Sequence, residues 1–130
     1  MPSPYGSWLK NVSMASQDAA GKVTALVAIK LLHTTVWGLL VGCILALPIT
    51  ALVRRFDWAI ILTMIILAEC GVLALNRGQC PLTGLAARFT ADRADNFDIY
   101  LPNWVAGHNK VIFGALFVVN ELFVLLCSLK

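Results

Sequence analysis

Two histidines, two glutamates and a cysteine carry the chemistry this chain has to offer: His33, His108, Glu69, Glu121 and Cys80. His33, Glu69 and Glu121 each interrupt a long apolar run. An ionisable side chain at membrane depth costs a few kcal/mol, so it faces protein, water or a ligand. The imidazoles of His33 and His108 are suited to hold a haem b iron axially, with Trp37 and Phe113 against the macrocycle. His33, Glu69, Cys80 and His108 together offer nitrogen, oxygen and sulfur donors to a metal ion. The buried carboxylates Glu69 and Glu121 suit a proton relay or contact with a quinone. Each residue also has a plainer role. His33 would hydrogen-bond a neighbouring helix, and His108 would cap or hydrate the start of another. A glutamic acid at depth would bond a threonine, an asparagine or a backbone carbonyl, with Thr63 and Asn120 at hand.

The elements that must position these groups follow from hydropathy. Leu31–Val53, Trp58–Leu75 and Val111–Leu129 are apolar runs near the ~20 residues that a membrane-crossing helix needs. Mean hydropathy is +0.80 and only 13% of residues are charged, against about 25% in soluble domains. The expected fold class is all-α integral membrane: three transmembrane helices plus a short interfacial amphipathic helix. Residues 1–22 form a polar N-terminal segment, in which Trp8, Leu9, Val12 and Ala15 recur at helical spacing and suggest a surface helix. Residues 23–53 form the first transmembrane helix, kinked at Pro48. Residues 58–76 form the second, stopped by Asn76-Arg77-Gly78. Residues 77–110 form an interfacial loop, in which Leu82, Leu85, Ala86 and Phe89 follow Pro81 at helical spacing, opposite Arg88, Asp92 and Asp95. Residues 111–129 form the third transmembrane helix.

Thr34, Gly38, Gly42, Ala46 and Thr50 recur every four residues along the first helix. Small residues at such spacing let another helix approach closely; the partner is a helix of the same chain, the favoured expectation, or another subunit. Leu40-Val41-Gly42-Cys43 has the form of a lipoprotein cleavage box. The sequence after Cys43 stays apolar through Val53, so the run reads as a retained helix. Cys43 and Cys127 read as small apolar residues. Cys70 and Cys80 fall near one membrane face and are candidates for a bridge.

Depth brings the candidate residues together. Three crossings place the N-terminus and the long loop on one side. Glu69 lies about seven residues from that end of its helix, or roughly 10 Å. His33, Glu69, Cys80 and His108 therefore share one leaflet, and Glu121 stands apart near the midplane. Lys10, Lys22, Lys30, Arg77, Arg88, Arg93 and Lys110 lie on the loop side, against Arg54, Arg55 and Lys130 on the other, which favours a cytoplasmic loop.

The net charge of +3 comes from basic residues scattered at the ends of apolar runs. There is no basic patch with interleaved aromatics, so nucleic acid is not an expected partner. No hydrolase triad order, HExxH, phosphate loop or dinucleotide fingerprint occurs, and no catalytic activity of its own is expected.

Gln79-Cys80-Pro81-Leu82-Thr83, directly after a membrane helix, resembles the mark of a bacterial family of small membrane proteins of unknown function with a Cys-Pro-Leu-Thr motif. Leu31-Leu32-His33 is similar to a leucine-flanked histidine in that family's first helix, and Glu69 corresponds to an acidic residue upstream of the motif. The resemblance spans about Lys30–Leu101. The chain departs in its longer N-terminus and in having Ala86 and Ala87 where the family carries an acidic residue. The resemblance implies a bacterial inner-membrane setting and picks out His33, Glu69 and Cys80; it implies no activity. The expected role is that of a small subunit or accessory factor of a larger membrane complex, its partners bound through the small-residue face and the long loop. The alternatives are a haem- or quinone-binding electron-transfer protein and a component of proton or small-solute transport.

Overall fold

The computed structural model describes residues 4–130, so Met1, Pro2 and Ser3 of the polar N-terminal segment lie outside the described residues. The chain forms four helices: α1 Pro4–Leu52, α2 Phe56–Leu75, α3 Pro81–Ala86 and α4 Asn103–Ser128. No strand occurs among the described residues. α1, α2 and α4 are each long and apolar enough to cross a membrane.

α1 has 49 residues, roughly 70 Å at ~1.5 Å per residue. The polar segment expected to end at Lys22 is instead the first part of this one helix. Ala15, Ala19 and Ala20 are strong helix formers; Gly6 lies in the first turn, and Gly21 resists mid-helix, at about 1 kcal/mol. α4 likewise starts at Asn103 rather than Val111, just after Pro102. Polar residues carry its first turns beyond the apolar run. The amphipathic helix of the loop is shorter than its pattern suggests. α3 ends at Ala86, and Phe89 sits in the following turn, its N–H donating to the Ala86 carbonyl at 2.9 Å. Ala86 is fully buried, and α3 packs on α1 rather than standing apart.

α1 is the spine, packed against both α2 and α4, while α2 and α4 meet only thinly. Ile44, Leu47, Ala59 and Ile66 form the buried centre, with Phe117 and Val124 packed on it. Leu47 is wholly enclosed.

A polar tie lies beside this centre. Pro48 stands inside α1 and has no N–H, so the carbonyl four residues back, that of Ile44, lacks its helical donor. A buried carbonyl without a donor is costly. The amide of Asn120, itself buried, donates to the Ile44 carbonyl at 2.7 Å. The next residue, Glu121, turns the other way and accepts a short hydrogen bond from the Thr63 hydroxyl. Two adjacent residues thus fasten α4 to α1 and to α2.

The small-residue stripe does not find the partner expected within the chain. Gly38 and Gly42 are exposed, and a Cβ on either would meet nothing within 4 Å. A four-residue spacing drifts by about 40° per step on a helix with about 3.6 residues per turn. The five residues therefore spread around α1, and the two glycines fall opposite His33, Trp37, Ile44 and Leu47. Thr34 and Thr50 use their hydroxyls on α1 itself, bonding the Lys30 and Leu47 carbonyls at 2.7 Å each.

If Asn120 answers the gap left by Pro48, the two positions are coupled. Asn120→Leu should lower unfolding stability in detergent by about 1–2 kcal/mol, the range for a buried interhelical hydrogen bond. In a Pro48→Ala background, where position 48 has its N–H, the loss should shrink to a few tenths. Strictly additive losses across the cycle would refute the coupling.

Candidate functional site

The loop between α2 and α4 folds down on α1 through residues one turn apart. Asp98 is the pivot, 5% exposed in a loop whose other acidic residues face water. His33 Nδ1–H points at both the carbonyl of Asp98, 3.1 Å away, and its carboxylate, 3.2 Å away. The Thr83 hydroxyl, from α3, donates to the same carboxylate. Next along the chain, the Tyr100 N–H donates to Thr34 Oγ1 at 3.0 Å, and the Lys30 ammonium lies 4.7 Å from the Tyr100 ring centroid. From α4, Asn109 Oδ1 accepts from Trp37 Nε1 at 2.8 Å, and Lys110 reaches across to the Gly78 carbonyl. These bonds tie α1, the loop and α4 into a polar roof.

Two cavities lie under it. The upper one, about 370 Å³, has His33, Glu69, Cys80, Thr83, Asp95 and Asp98 among its walls. The lower one, about 320 Å³, is apolar, enclosed by Val41 and Ile44 of α1, Ile66 of α2, and Phe113 and Phe117 of α4. Trp37, Leu40, Glu69, Leu73, Asn109 and Lys110 belong to both walls, so the two spaces are neighbours. α2 and α4 touch little, and residues of both line the lower space. Trp37 and Phe113, both on its wall, meet edge to face, centroids 5.4 Å apart.

Of the candidate residues, the structure brings together His33, Glu69 and Cys80. It does not bring His108 to them. That imidazole is exposed on α4, where Nδ1 donates to the Trp104 carbonyl at 2.9 Å and the ring lies over Trp104. It lines neither cavity, so the two histidines face no common space for a haem. Among the described residues no group of three or more His, Cys, Asp or Glu is placed to hold a metal ion. Glu121 also lies outside both cavities, committed to Thr63. Cys70 and Cys80 are free thiols.

Two features escaped the sequence reading. Asp98 shares its loop with Asp92 and Asp95 and has no pattern that marks it as the buried one. Asn109 is legible only once α4 is known to begin at Asn103, which puts it one turn before Phe113 on the inner face.

The electrostatics follow from the geometry. Burial pushes the Cys80 thiol up, and the nearby charges of Glu69 and Asp98 add to it, against the backbone N–H of Leu82. Cys80 is therefore a neutral thiol rather than a poised thiolate. Burial also pushes the Asp98 carboxyl up, but the hydrogen bonds from His33 and Thr83 outweigh it and hold the carboxyl below its ordinary range. Because both partners of His33 Nδ1 accept hydrogen bonds, the proton sits on Nδ1. Nε2 is the ring nitrogen left for the cavity.

Comparison of the chain with known protein families, with curated proteins and with solved structures finds no match.

A carboxyl whose folded pKa is lowered stabilises the fold above its unfolded pKa, about 4 for aspartate, and ceases to do so as pH falls through the folded value. The loop should thus stay docked at neutral pH and release as pH drops below about 4. Hydrogen exchange across residues 77–102 measures it. Asp98→Ala should speed that exchange about 10–100-fold at pH 7, the cost of leaving His33 and Thr83 without their acceptor.

Proposed function

We propose that this chain is an integral membrane protein that serves as a small subunit of a larger membrane complex, with α1 as its docking element. Lipid is the environment its surface calls for. In the most apolar stretches of α1, α2 and α4 only 17%, 11% and 6% of residues are buried within the chain. Leu39, Leu45, Ile60 and Leu126 are among the large apolar side chains left more than half exposed. The resemblance around Gln79–Thr83 supports a bacterial inner membrane, and the excess of Lys and Arg on the loop side supports a cytoplasmic loop and N-terminus.

The observation that carries the subunit reading is the free length of α1. Every residue from Pro4 to Thr24 is exposed, and the first buried residue of the helix is Ile29. An isolated helix of this length is marginal in water, and most helical stability comes from packing an apolar face. This stretch has such a face: Tyr5, Trp8, Leu9, Val12, Ala15 and Ala19 fall on one side, with Lys10, Asn11, Gln17 and Asp18 on the other. Tyr5 and Trp8 are 77% and 62% exposed. The spacing alternates three and four residues, as in a helix seated against another helix. Because it continues a membrane-crossing helix without a break, it projects past the roof toward a partner's extramembrane part.

Extraction of native membranes in mild detergent, followed by native electrophoresis, tests this. The chain should migrate in an assembly well above its own 14.1 kDa. Val12→Asp should release it from the assembly while leaving the melting temperature of the purified protein unchanged. Migration of the unmodified chain as a monomer with its bound detergent would count against the proposal, as would an assembly indifferent to Val12→Asp.

A further inference from the structure

We infer that the two neighbouring cavities under the roof together form a binding site for a membrane amphiphile whose aromatic head donates hydrogen bonds, the chemistry of a lipid-soluble hydroquinone. The inference goes beyond the subunit reading and shares none of its residues.

Glu69 carries the argument. It is the one glutamate whose side chain lines both spaces, and among the described residues it has no hydrogen bond and no ion pair. Every other ionisable group deep in the helices is answered within the chain: His33 by Asp98, and Glu121 by Thr63. A carboxyl about two turns below the helix end, half-buried and open to the cavity, is left without a partner at that depth only at some cost. That cost is removed when something in the cavity bonds to it.

The chemistry of that occupant follows from what the walls present. In either protonation state Glu69 keeps an acceptor oxygen. His33, with a proton held on Nδ1 by Asp98, has Nε2 left for the upper cavity, and in the neutral ring that nitrogen accepts. The interior thus offers two acceptors from different helices, α1 and α2, and the complement is a head group bearing two donors. Trp37 on the shared wall, Phe113 beside it and Phe97 above supply aromatic walls for a planar ring. Below the shared wall the cleft turns wholly apolar, toward Ile44, Ile66 and Phe117, and accepts a hydrocarbon tail. A polar chamber beside an apolar one, with six wall residues in common, suits a molecule with two ends. α1 closes the back of the cleft and α2 and α4 barely touch, so the open side is the side that faces the bilayer. A tailed ligand would enter laterally, without crossing the roof.

The test titrates the full-length protein in detergent micelles by calorimetry with three probes: a decyl-substituted benzohydroquinone, its dimethyl ether, and 1-decanol. The hydroquinone should saturate one site. The ether, which has the ring but no donors, and decanol, which has a donor but no ring, should each bind at least about tenfold more weakly, the worth of one good hydrogen bond. Glu69→Leu should weaken the hydroquinone about tenfold without lowering the melting temperature, because Glu69 bonds nothing in the chain. Gly114→Leu should abolish binding: Gly114 lines the lower cleft, and a side chain there meets open space, so the variant folds and fills the tail's place. Equal binding of hydroquinone and ether, equal binding of decanol, undiminished binding by Gly114→Leu, or no saturable binding would each overturn the inference.

Discussion

The missing N–H of Pro48 is the constraint on which the rest of the architecture turns. Inside an apolar bundle every backbone polar group must be satisfied by protein, and the Ile44 carbonyl has lost its helical donor. Asn120 supplies one from α4. With Asn120 committed to α1, its neighbour Glu121 faces α2 and takes the Thr63 hydroxyl. The three long helices are therefore fastened at one level by two adjacent residues of α4. Apolar packing does the rest only around Leu47 and Ile66, close to that level. Nearer the loop, Lys110 of α4 reaches the Gly78 carbonyl just past α2, and both residues line the cleft.

The roof solves the same problem by another means. A loop laid over the open end of the bundle brings polar backbone with it, and that backbone needs partners. Asp98 is buried for this purpose. Its carboxylate gathers His33 of α1 and Thr83 of α3, while its carbonyl takes a second contact from the same imidazole. A buried charge on its own would cost several kcal/mol, and it is the hydrogen bonds that keep this one ionised. The arrangement also fixes His33, because an imidazole held by a carboxylate and a carbonyl on one nitrogen has a defined tautomer and a defined free edge. The loop's anchor and the orientation of a cavity-lining base are therefore one interaction. Polar contacts of this kind hold the roof without filling the space beneath it.

The helices were legible in the sequence because hydropathy over some twenty residues overrides local detail. Position along the apolar runs alone gathered His33, Glu69 and Cys80, since runs of near-constant length act as rulers. The ruler failed where helix and apolar run are different things. α4 begins eight residues before its apolar run, at Asn103 rather than Val111, and this set the phase of His108 wrongly: one residue on, Asn109 faces inward to Trp37 while His108 stacks on Trp104 outside. The small-residue stripe failed for a geometric reason, since a spacing of four does not stay on one face. Asp98 was not legible at all. Its burial depends on how a loop of more than twenty residues folds back, and no periodicity encodes that. The pairing of Pro48 with Asn120 lies between these cases. Both residues are conspicuous in apolar runs, and only their equal depth, from opposite chain directions, connects them.

Glu69 and Glu121 are the same side chain in the same kind of helix, and the fold treats them differently. Glu121 has a hydroxyl brought to it from α2, at a level where the helices are in contact. Glu69 shares its cavity walls with Asn109 and Lys110 of α4 and bonds to neither. Those two are both spent on other partners, Trp37 and Gly78. A glutamine, a leucine or a serine at position 69 would be easier to place in such a wall. Sequences that specify a fold satisfy their polar groups, and the exceptions concentrate at sites. The exception here stands on the wall shared by a polar and an apolar chamber, opposite a histidine whose free nitrogen is set by the loop's own anchor. Packing gives no reason for an acidic residue at that point, and a ligand does.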